Sequence, residues 1–82
     1  MVRRQWGTAI IRIHVDGSEM AVKGVHARVR AAVKADDPVT IVGKQVIVEL
    51  NDRAAAEAAK QISYRLRERL EDFDVDIVVE DD

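Results

Sequence analysis

Apolar positions along the chain switch between a period of two and a period near 3.6, and the switches divide it into six elements. Ala9, Ile11, Ile13 and Val15 alternate with Thr8, Arg12 and His14, which predicts a strand with one buried face. Ile10 is the apolar exception in the outward phase. Asp16-Gly17 supplies a turn, and Ser18 followed by Glu19 supplies an N-cap hydroxyl and an acid at the positive end of a helix dipole. The helix so opened is predicted to run to about Lys34. On a helical wheel Ala21, Val22, Val25, Val29, Ala32 and Val33 share the core arc, while Glu19, Lys23, His26, Arg30 and Lys34 face water. Met20, Gly24, Ala27 and Ala31 form a third stripe of mostly small side chains, against which a second helix is expected to pack.

After Pro38, Val39–Val42 and Gln45–Leu50 read as two strands joined at Gly43-Lys44, the glycine providing the positive backbone angle of a two-residue hairpin. Val39, Ile41, Val46, Val48 and Leu50 are expected inside, with Thr40, Gln45, Ile47 and Glu49 outside. Asn51 or Asp52 is expected to cap a second helix from Arg53 to about Asp72, whose core arc collects Ala55, Ala58, Ala59, Ile62, Leu66 and Leu70, with Phe73 closing its end. Val75, Ile77 and Val79 then predict a last strand before an acidic tail. Both helices are expected to end in acids, Asp36-Asp37 and Glu71-Asp72, where the dipole prefers cations.

At 82 residues the chain is read as one domain, residues 1–82, with an ordered core of about 5–80. It has no cysteine, so packing alone must stabilise it, and both disulfides and thiolate metal sites are excluded. Apolar residues at 48% and charged residues at 34% describe a globular chain rather than a disordered one. The formal net charge of −2 points to no strongly charged partner. No apolar run approaches the roughly 18 residues of a membrane span, and the N-terminus lacks a signal-peptide core. The expectation is a soluble domain, cytoplasmic, or without a compartment if the sequence is artificial.

The order strand-helix-strand-strand-helix-strand, with its hairpin between the third and fourth elements, resembles the ferredoxin-like split βαβ fold. The resemblance covers the whole chain and is one of element pattern. It implies an α+β two-layer sandwich: a four-stranded antiparallel sheet of order 4-1-3-2 with both helices on one face. Because this scaffold hosts unrelated activities, each must be sought in residues. RNA-recognition domains of this fold stack bases on aromatics of the central strands, where this chain has Thr8, Ile10, Arg12, Gln45, Ile47 and Glu49. An acylphosphatase-like anion cradle after the first strand is opposed by Asp16, and the paired-cysteine loop of the metal chaperones is missing.

Gly24-Val25-His26-Ala27-Arg28 looks like the Gly-Leu-His-Ala-Arg segment of the phosphocarrier protein of the bacterial sugar phosphotransferase system. There the histidine sits at a helix N-terminus. Here His26 falls two turns inside a helix, without free backbone donors, and is expected to be an exposed helix residue. His14 and His26 lie on different elements, and neither has a partner at metal-ligand spacing, so no metal or cofactor is expected. Ser18 and Ser63 have no evident base, and Asp36, Asp37, Asp52 and Asp74 read as turn and cap residues. No catalytic residue is assigned. Arg65, Arg67 and Arg69 alternate with Glu68 and Glu71 as a solvated face; Arg69 is expected to lay its stem over apolar surface, and Tyr64 to face solvent.

What exceeds background is the sheet face away from the helices. Trp6, Ile10, Val42, Ile47 and Val78 are outward by alternation and, with Arg12 beside them, make a candidate interaction surface bordered by His14, Glu49, Asp76 and Glu80. The leading reading is a non-catalytic stand-alone scaffold, of the kind an artificial sequence made only to specify a fold would be. A protein-interaction or homodimerisation module using the open face is the alternative. A weaker one is an RNA-binding domain using Arg3, Arg4, Trp6 and Arg12, which a pI near 5.6 disfavours.

Overall fold

The computed structural model describes residues 7–52 and 54–81, and of Asp52 and Asp81 the backbone. Six elements follow one another: β1 (Gly7–Val15), α1 (Glu19–Ala32), β2 (Val39–Val42), β3 (Gln45–Asp52), α2 (Ala55–Arg69) and β4 (Val75–Asp81). The strands form one antiparallel sheet of order β2-β3-β1-β4, the predicted 4-1-3-2. This α+β arrangement is consistent with the ferredoxin-like pattern.

Alternation along β1 produces the core as read from sequence. Ala9, Ile11, Ile13 and Val15 are buried, and they share one cluster with Val46, Val48 and Leu50 of β3, Val22, Val25 and Val29 of α1, and Ala55, Ala59 and Leu66 of α2. Ile62, Ile77 and Val79 pack against that cluster only partly buried. Ile41 has the inward phase yet is 43% exposed. It sits at the hairpin end of β2, where a notch of about 390 Å³ opens between it and Glu19, Val22 and Lys23 of the first turn of α1.

Local chemistry sets most boundaries. Ser18 is extended, and its hydroxyl accepts from the Ala21 N–H at 3.3 Å, the expected N-cap. At the β2–β3 turn Gly43 has φ 61°, while no described non-glycine residue has positive φ. One left-handed residue, at the first loop position, is the requirement of a II′ turn, whereas I′ needs two.

The start of α2 corrects the sequence reading. Asn51 and Asp52 do not cap it: they prolong β3, pairing with Thr8 and Gly7, and the Thr8 hydroxyl donates to Asn51 Oδ1 at 3.0 Å. The N-cap position is Ala54, without a side-chain bond. Cross-strand pairing outweighs the cap because it satisfies the side chain and extends the ladder together. The helix ends also fall earlier than predicted, at Ala32 and Arg69, which leaves the acids beyond the helices and Arg30, Arg67 and Arg69 in the last turns, where the dipole favours them.

Candidate functional site

The sheet face that carries Thr8, Ile10, Arg12 and His14 is a grid fixed by the strand registers. Its rows read Asn51-Thr8, then Glu49-Ile10-Glu80, then Thr40-Ile47-Arg12-Val78, then Val42-Gln45-His14-Asp76. Arg12 occupies the middle, donating to Gln45 Oε1 at 3.2 Å and to Glu80 Oε1 at 3.1 Å. Within the rows Ile10 lies between two glutamates and Arg12 stands between Ile47 and Val78, while on the diagonals Ile10 neighbours both Ile47 and Val78. Val42 and Val78, 59% and 47% exposed, are on opposite edge strands. The structure thus places Ile10, Arg12, Val42, Ile47 and Val78 on one face of the sheet. Trp6, Arg3 and Arg4 lie outside the described residues.

His26 is not the exposed helix residue the sequence suggested. It is half-buried, and its Nε2 lies 3.1 Å from the Val39 carbonyl, to which it can only donate. Arg30, on the next turn, donates to the carbonyls of Asp37, at 2.8 Å, and of Lys34. Together they hold the α1–β2 connection and the start of β2.

Arginines also finish the two helices reciprocally. Arg28 of α1 donates to the carbonyl of Arg69, the last residue of α2, at 2.9 Å, and Arg65 of α2 donates to the carbonyl of Ala32, the last residue of α1, at 3.3 Å. This does the work of the missing C-terminal glycines by giving orphan carbonyls a donor. Arg28 also pairs with Asp72 at 3.4 Å and lies over the Phe73 ring, 5.1 Å from its centroid. The same ring explains Gly24, one turn before Arg28: a β-carbon there would sit 3.1 Å from Phe73 Cζ. The small-residue stripe thus admits Phe73. Toward α2, Ala27 and Ala31 line a groove of about 500 Å³ with Glu68 and Arg69 opposite.

Ser63 is buried and donates to the Lys60 carbonyl at 2.7 Å. Tyr64 is exposed, with Arg67 over its ring at 5.9 Å, and Arg69 is exposed. Among the described residues no group of three or more His, Asp or Glu side chains is placed to hold a metal ion, and no helix is long and apolar enough to cross a membrane. No family model matches the chain, and no curated protein matches it in sequence.

Proposed function

We propose that the chain is a non-catalytic ferredoxin-like scaffold, with both helices covering one sheet face, whose polar side chains serve the fold itself. The observation that carries this reading is the use made of the chemically capable groups. Arg12 ties three strands, His26 and Arg30 hold the entry to β2, Arg28 and Arg65 cap the opposite helix, and Ser63 bonds within its own helix. Such agreement between local chemistry and global fold is what a sequence made or selected only to specify its structure carries. The RNA-binding reading is weakened because Arg12 is already committed to Glu80. The open-face interface is weakened because charged side chains share its rows: Glu49 and Glu80 flank Ile10, and Arg12 stands between Ile47 and Val78.

The Ile10→Thr/Ile47→Thr double variant tests this reading. It keeps β-propensity while removing apolar surface from the open face. A scaffold keeps its solution mass over a wide concentration range in both proteins. A parent mass that rises with concentration, and falls back in the variant, would establish the open-face interface instead.

A further inference from the structure

The ladder phase shows which backbone groups of β4 are unused. Asp16 N–H donates to the Asp74 carbonyl at 2.9 Å, and the register places Val15 opposite Val75. In an antiparallel ladder bonded pairs alternate, so Asp76, Val78 and Glu80 exchange bonds with β1, while Val75, Ile77 and Val79 turn their N–H and C=O outward. The other side of β1 agrees: Val15 N–H donates to the Lys44 carbonyl, which assigns the odd-numbered residues of β1 to β3. Among the described residues no hydrogen bond reaches the outward groups of β4.

Two further features adjoin that edge. A groove of about 370 Å³ runs along it, with Leu70, Phe73, Val75 and Ile77 as apolar lining and Arg67, Glu71 and Asp76 as its charged lining. The segment from Glu71 to Asp82 holds seven acids and no basic residue. Asp76 makes no ion pair among the described residues.

We propose that β4 is a docking edge that takes an extended segment of a partner protein as a fifth strand, with apolar residues at alternate positions and lysine or arginine between them. Main-chain bonds to Val75, Ile77 and Val79 give affinity. The alternating side chains divide between the phase of Val75 and Ile77, which holds the apolar lining of the groove, and the phase of Asp76, which supplies the negative charge. Charge selects this occupant over a second copy. Two β4 strands paired antiparallel in full overlap put Val78 on the axis and Asp76 opposite the other copy's Glu80 twice, and like charges directly opposite are destabilising.

The test uses a synthetic peptide of alternating valine and lysine long enough to span β4, with a valine–glutamate peptide as control, followed by amide NMR. The expected result is saturable binding of the lysine peptide alone, slowed amide exchange at Val75, Ile77 and Val79, and roughly tenfold or greater weakening at high salt. Val79→Pro removes one outward donor without touching the β1 ladder, so it should retain the fold and lose most binding. Asp76→Asn, an exposed change, should weaken binding several-fold with melting temperature unchanged. Absence of binding, perturbations confined to the open face or the helices, or equal binding of both peptides would overturn the proposal. So would protection of the three amides that rises with protein concentration in the absence of peptide, which would make a second copy the occupant.

Discussion

The two edges of the sheet solve the same problem differently. Strand β2 is four residues long and follows Pro38, and its outward Val39 carbonyl is taken by His26 of α1. Strand β4 is seven residues long, its outward groups have no partner among the described residues, and Asp76 and Glu80 flank them. An exposed strand edge is a template for pairing, and short length, a covering element and charge are all recognised defences. One edge is short and has one of its outward groups, the Val39 carbonyl, bonded, while the Val39 N–H and both Ile41 groups face outward as the groups of β4 do; the other edge is long and flanked by charge alone. A bonded carbonyl is closed to every partner, whereas repulsion acts only on acidic ones.

Removing the support beneath each edge should have the largest effect. Leu70, buried at the floor of the β4 groove, and Val48, buried opposite Val39, each carry an edge. Leu70→Ala should cost about 2–5 kcal/mol in denaturant titration, with exchange rising first along β4. Val48→Ala should cost somewhat less, having fewer atoms to lose, and should loosen β2 first. Equal loosening of both edges in both variants would mean that the sheet opens as one unit.

Next in size is Phe73→Ala, at about 2–4 kcal/mol because the ring is only partly buried. It removes the surface between Gly24 and Arg28 and part of the β4 groove, so peptide affinity should fall with stability. His26→Ala should cost about 0.5–1.5 kcal/mol, one hydrogen bond to a carbonyl. Amide exchange should quicken in β2 and leave β4 unchanged; an effect spread evenly over the sheet would remove the edge-closing role of this histidine. The smallest change in stability, within about 0.5 kcal/mol, is expected for Asp76→Lys on the exposed edge. Its effect on association should be larger, because full-overlap pairing of two β4 strands then sets lysine opposite Glu80. A solution mass that rises with concentration in this variant alone would sharpen the comparison; unchanged monomer mass would show that charge is not what keeps β4 apart.

The asymmetry was only partly legible in the sequence. Alternation from Thr8 to Val15 and from Gln45 to Leu50, Ser18 before Glu19, and Gly43 in the hairpin are local signals, and each produced the element expected of it. The misread features depend on partners distant in sequence. Asn51 has the chemistry of a cap but meets Thr8, 43 residues away, first. The phase of Ile41 is right, but burial depends on how far α1 reaches over the hairpin. His26 carries no sign of its bond to Val39, and nothing in the local pattern pairs Arg28 with Arg69 or Arg65 with Ala32. The alternation of the sheet face that carries Arg12 was legible, but the rows that seat Arg12 between Ile47 and Val78 were not, because they are set by pairing across strands.

Residue-resolved amide hydrogen exchange on the dilute, unmodified protein tests the unequal closure of the edges most directly. The account predicts alternation along β4, with Asp76, Val78 and Glu80 protected by β1 and Val75, Ile77 and Val79 exchanging far faster. Uniform protection through all six residues would contradict it, since the outward groups of β4 would then already have a partner.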